Sequence, residues 1–132
     1  MQQDLPVDRL GSLRILVADD SPDTLHALEH FLAGQGHEVM TAEDGLAACE
    51  RCIEARPDLV LMDIQLPGKD GFALLDEIRA SPHRGLRVVA LTAHAMSGDR
   101  ERAIEAGFDG YITKPIDIRS FPELVRQALE AR

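Results

Sequence analysis

The 132-residue chain has no tryptophan, one tyrosine and four phenylalanines. Flat platforms on which nucleic-acid bases could stack are therefore scarce. Positive charge is short as well: 14 lysines and arginines face 23 aspartates and glutamates, a net charge of −9 at pH 7. A surface of that sign repels nucleic-acid phosphates and anionic membranes, which argues against both as partners. No apolar run approaches the roughly 18 residues of a membrane-crossing helix. The start, Met1-Gln2-Gln3-Asp4-Leu5-Pro6, lacks the basic and apolar regions of a secretory signal, so a cytoplasmic protein is the default expectation. Cysteine is limited to Cys49 and Cys52. They form a Cys-x-x-Cys inside a helical pattern, with no second pair to complete a zinc site. They are expected to be two small apolar fillers on one helix. The glycine and lysine spacing of a nucleotide-binding phosphate loop is also missing.

What is present is a hydrophobic fraction of 45%, enough for the core of one domain of ordinary size. Residues 1–12 show no period and read as a loose leader; residues 13–132 read as the domain. Strand and helix patterns then alternate five times. The apolar, β-branched runs 13–18, 38–42, 58–63, 86–91 and 110–113 are expected strands. Between them lie helices. The first opens at Ser21-Pro22 and carries Leu25, Leu28, Phe31 and Leu32 inward, before Gly34 and Gly36. The second is capped by Asp44, with Leu46, Cys49 and Ile53 as its expected inner face. The third opens at Asp70-Gly71 and turns Phe72, Leu75 and Ile78 inward. A fourth spans about 98–107 and closes at Gly107. The last starts at Pro122 with Leu124, Val125, Ala128 and Leu129. Five βα units with short, right-handed connections predict an α/β fold: a five-stranded parallel sheet with helices on both faces.

In such sheets ligands bind beyond the carboxyl ends of the strands. Just past strand 1 come Asp19 and Asp20, past strand 3 Asp63, past strand 4 Thr92, and past strand 5 Lys114 and Pro115. Three carboxylates, one hydroxyl and one ammonium thus converge on one rim. Two carboxylates about 5 Å apart repel by roughly 3 kcal/mol at an effective dielectric of about 20. Lys114 supplies one compensating charge, and a hard, oxygen-seeking dication such as Mg²⁺ would supply the rest. A carboxylate can act as a nucleophile toward phosphorus, and phosphoryl transfer needs mainly positioning and charge stabilisation. Lys114 and Thr92 are placed to provide both. With no nucleotide loop, the phosphoryl group is expected from a partner protein or a small phosphodonor.

The segments "ILVADDSPDT", "PDLVLMDIQLPGKDG", "VVALTAHAM" and "GYITKPID", in this order and spacing, resemble the receiver domain of response regulators in two-component and phosphorelay signalling. The wording of "TAHAM" and "GYITKP" is similar to receivers associated with hybrid histidine kinases. The resemblance covers roughly residues 13–131 and implies the flavodoxin-like (βα)5 topology, with the strands in order 2-1-3-4-5. It implies Asp63 as phosphoacceptor, Asp20 and Asp63 as direct Mg²⁺ ligands with the backbone carbonyl of Gln65, and Asp19 acting through a water. It implies that Thr92 and Lys114 contact the phosphoryl group, that Tyr111 is a switch aromatic, and that the Lys114–Pro115 bond is cis. The implied partners are a histidine kinase or histidine phosphotransfer protein. A downstream protein would read the surface of the helix at about 98–107, the strand at 110–113 and the final helix, including Tyr111.

Other residues are weighed against this reading. His26 and His30, four apart on the first helix, are expected on a solvated face rather than on a metal. His94 is expected over the mouth of the site. An Asp-nucleophile phosphatase of a related fold needs a second acid/base aspartate two residues after the nucleophile, where this chain has Gln65. The expectation is therefore a protein that catalyses only its own phosphorylation and dephosphorylation. A degenerate, non-phosphorylated receiver is disfavoured because every site position is filled. The chain is expected to stand alone without an output domain; the alternative is a receiver module excised from a larger hybrid histidine kinase.

Overall fold

A computed structural model describes residues 12–67, 71–81, 85–93, 98–117 and 119–130. Most of the proposed leader, residues 1–11, lies outside these, as do Asp70 and His94. The described part begins with Ser12, whose hydroxyl donates to the Gly36 carbonyl at 2.8 Å.

Five strands alternate with five helices: β1 (Arg14–Ala18), α1 (Pro22–Gly34), β2 (Glu38–Ala42), α2 (Gly45–Ala55), β3 (Leu59–Asp63), α3 (Gly71–Arg79), β4 (Arg87–Thr92), α4 (Asp99–Ala106), β5 (Gly110–Thr113) and α5 (Phe121–Leu129). All pairings are parallel, in the order β2-β1-β3-β4-β5, as expected. Successive side chains on a strand point to opposite faces, and the core divides accordingly. Ile15, Val17, Leu59, Leu61, Val89, Leu91 and Ile112 pack with α1 and α5. Leu16, Ala18, Val60, Met62, Val88, Ala90 and Tyr111 pack with α2, α3 and α4. This two-sided burial is why the central strands read as continuous apolar runs.

The helix starts follow local chemistry. Ser21 caps α1 by accepting from the Thr24 N–H, with Pro22 in its first turn. Asp44 caps α2 by accepting from the Ala47 N–H at 2.8 Å. Gly107 ends α4 in a left-handed conformation, φ +114°, where glycine carries no Cβ penalty.

One inner face differs from expectation. On α2 the buried residues are Gly45, Ala48 and Cys52, while Leu46 and Ile53 are 65% and 64% exposed. Small residues let α2 lie close to the sheet, so the apolar stripe that periodicity selects, Leu46-Cys49-Ile53, is turned toward its flank. On α3 the deepest residues are Leu74, Leu75 and Ile78, with Phe72 partly buried. Cys49 and Cys52 are not joined in a disulfide. Burial, followed by the neighbouring Cys49, pushes the Cys52 thiol up to about 11. That suits a core filler and not a nucleophile. His26 and His30 lie on the exposed face of α1.

Candidate phosphoacceptor site

In a doubly wound sheet the crevice opens where the strand order reverses, here between β1 and β3. Ala18 pairs with Met62 in register, so the next residues, Asp19 and Asp63, emerge side by side. Both are buried, at 0% and 7% exposure, while Asp20 is exposed. Each buried carboxylate folds back on the chain in the same way. Asp19 Oδ1 accepts from the Ser21 N–H at 2.9 Å, and Asp63 Oδ1 accepts from the Gln65 N–H at 2.8 Å. These are Asx turns, in which an aspartate satisfies a backbone donor two residues on. They hold one oxygen of each carboxylate and leave the other turned to the crevice.

The second oxygens meet Lys114. Its ammonium lies 2.6 Å from Asp19 Oδ2 and 3.0 Å from Asp63 Oδ2. Lys114 is delivered by β5: its N–H donates to the Thr92 carbonyl at 2.8 Å, and the Lys114–Pro115 peptide bond is cis. Burial alone would lower the Lys114 pKa. The hydrogen bonds to Asp19 and Asp63 outweigh it and hold the ammonium above its ordinary value.

Thr92 ends β4, 2% exposed, one residue past Leu91, which pairs with Asp63. Gln65 sits in the exposed turn after β3, with its backbone N–H committed to Asp63. Tyr111 pairs with Ala90, so it shares the α2–α4 face of the sheet with Thr92. Its ring is inside rather than on the surface where a reading partner was expected to meet it: exposure is 8%. Its buried hydroxyl has no hydrogen-bond partner among the described residues. Burial, then the nearby Asp99, raises the Tyr111 pKa.

Carboxylate oxygens of Asp19, Asp20 and Asp63 lie within 4.8 Å of one another. Among the described residues, three carboxylates against one ammonium leave two negative charges uncompensated. The donors are all oxygen, and the exposed Asp20 opens one side to water. That set fits a hard dication that keeps part of its hydration shell, and it does not suit a soft metal.

The family model "Response regulator receiver domain" matches residues 15–126. The chain belongs to this family. It is 40% identical over 116 residues to the sensor protein GacS of Pseudomonas syringae pv. syringae, covering 85% of this chain and 13% of that protein. It is 35% identical over 121 residues to the polar-differentiation response regulator DivK of Brucella anthropi, covering 87% and 94%. The crystal structure of NtrX from Brucella abortus superposes with a TM-score of 0.82 at 36% identity, over 90% of this chain and 28% of that one. The receiver thus spans a small part of GacS and nearly all of DivK. The fold and family that the resemblance implied are those found.

The turns that hold Asp19 and Asp63 were not foreseen, although an aspartate at a strand end is their signal. Ser21 was expected only as a cap, yet its N–H also fixes Asp19. In the described part, no helix is long and apolar enough to cross a membrane.

Proposed function

We propose that this receiver is a phosphate-accepting switch in a two-component or phosphorelay system, with Asp63 as the acceptor. The observation that carries the reading is the Lys114 ammonium between Asp19 and Asp63, with Asp20 beside them at the crevice between β1 and β3. Asp63 Oδ2 attacks the phosphorus of a phosphohistidine or a small acyl phosphate. A new oxygen–phosphorus bond forms, the bond to the donor breaks, and the imidazole or carboxylate leaves with its electron pair. Lys114 neutralises charge on the transferring group, and the Thr92 hydroxyl donates to one of its oxygens. Asp20, Asp63 and the Gln65 carbonyl would hold Mg²⁺, with Asp19 acting through water; the bound ion supplies positive charge to the phosphoryl oxygens. The chain turns over no external substrate on this reading.

The phosphoryl group adds charge at the end of β3 and draws Thr92 toward it. Thr92 and Tyr111 share one sheet face, so a shift of Thr92 changes the space beside the Tyr111 ring. The Tyr111 hydroxyl, without a hydrogen-bond partner among the described residues, disfavours the buried position by about 1–3 kcal/mol, while ring burial favours it. A balance of that size suits a two-state element. A partner protein would read the resulting surface of α4, β5 and α5. The donor would be a histidine kinase or phosphotransfer protein, in the cytoplasm, with no nucleic acid or membrane involved.

Incubation with acetyl phosphate and MgCl₂, followed by intact mass, tests the reading. One phosphate is expected on the wild type and none on Asp63→Asn. A gain that persists in Asp63→Asn, or none in the wild type, overturns it. A second reading, that the chain is one module of a longer sensor kinase, draws on its match to 13% of GacS; the native gene boundary decides.

A further inference from the structure

The two proposed ligands Asp63 and Gln65 flank a single residue, Ile64. Ile64 is gripped from two sides: its N–H donates to the Leu91 carbonyl at 3.1 Å, and its own carbonyl accepts from the Gly71 N–H at 2.9 Å. Gly71 is the buried first residue of α3. A Cβ added there would lie 2.6 Å from Ile64 Cα, 3.0 Å from its Cγ2 and 3.1 Å from its Cβ. The nearest of these is backbone and cannot swing aside. The far end of the loop is pinned too, by the Gly45 N–H to the Pro67 carbonyl at 3.1 Å.

From this contact we infer that Gly71 is a positioning residue for the phosphoacceptor loop: its missing side chain sets how close α3 lies to Ile64, and so where Asp63 and Gln65 present their oxygens. Carbon atoms pack at about 3.5–4.0 Å, so any side chain at 71 displaces Ile64 Cα by roughly 1 Å. A displacement of that size at a reacting centre can lower a rate by about 100-fold. This rests on the proposed use of Asp63 and Gln65.

The test compares Gly71→Ala with Gly107→Ala. Gly107 has φ +114° and lies at the other end of the sheet, so alanine there strains the backbone without touching the loop. MgCl₂ titrations followed by the amide signals of Asp63 and Gln65 give the affinity, and acetyl phosphate with intact mass gives the phosphorylation rate. Gly71→Ala is expected to weaken Mg²⁺ binding and slow phosphorylation by on the order of 10- to 100-fold, with Gly107→Ala like the wild type. Equal Mg²⁺ affinity and rate in Gly71→Ala and wild type would overturn the inference while leaving the proposed function standing. A wild type that neither binds Mg²⁺ nor takes phosphate would remove both. If Gly71→Ala does not fold in buffer, both variants are measured in trimethylamine N-oxide, which favours the compact state. Failure to fold there, with Gly107→Ala folded, would make Gly71 a folding residue and overturn the positioning role.

Discussion

At the lower end of the sheet Arg79 meets Asp109; at the upper rim Lys114 meets Asp19 and Asp63. Both clusters are largely shielded from water, yet they are built on different terms. Arg79 reaches from the end of α3 to the Leu86 carbonyl, to the Gly107 carbonyl at 2.6 Å and to Asp109 Oδ2 at 3.0 Å. That same oxygen accepts from the Val88 N–H at 2.8 Å. Among the described residues one cation meets one anion, and backbone groups of two segments, the start of β4 and the end of α4, bind them. At the rim one ammonium serves two buried carboxylates, with a third exposed beside them. A fully compensated pair holds segments together. A cluster left short of positive charge is compatible with a divalent cation. Counting charges and partners thus separates a bolt from a site, where the mere presence of an ion pair would not.

Breaking the bolt has the largest expected effect on stability. Arg79→Met takes from buried Asp109 the guanidinium 3.0 Å away, and should cost about 3 kcal/mol in denaturant unfolding, with Mg²⁺ affinity at the rim unchanged. A loss below about 1 kcal/mol would show that the lower pair is not a bolt. Lys114→Met should cost about 2 kcal/mol without metal, since it removes charged hydrogen bonds to two buried carboxylates. MgCl₂ should then stabilise this variant more than it stabilises Arg79→Met, because the competing ammonium is gone. Equal increments in the two variants would erase the distinction between the clusters.

The smallest effect sharpens the same contrast by pH. The folded-state pKa values of Lys114 and Tyr111 are both raised. A raised folded pKa means that the group's contribution is fully present below its unfolded value, near 10 for both groups. It is lost as pH rises through the higher folded value. Stability followed by circular dichroism should fall above about pH 10. Part of that fall should disappear in Tyr111→Phe and another part in Lys114→Met. An unaltered alkaline limb in both variants would contradict these two sources.

The elements most legible in the sequence were those buried on both faces. Continuous runs such as Leu59-Val60-Leu61-Met62 admit few other readings, and short right-handed connections make the strands parallel; the order β2-β1-β3-β4-β5 is one of several that such connections allow. The site was legible for a related reason: residues that end parallel strands must share a rim. Helix faces were less legible. On α2, hydropathy selects Leu46 and Ile53, but packing selects Gly45, Ala48 and Cys52, because close approach to a sheet rewards small side chains. The turns that hold Asp19 and Asp63 escaped notice, since backbone N–H groups carry no residue letter.

Chain order and residue chemistry therefore determine the parallel sheet and the set of side chains at its rim, since both follow from local pattern and connectivity. Tertiary structure alone decides which oxygen of Asp63 faces Lys114, that Tyr111 lies inside with no partner for its hydroxyl among the described residues, and that a side chain at 71 would crowd Ile64. These depend on distances of a few tenths of an ångström between segments far apart in the chain, which no local pattern encodes.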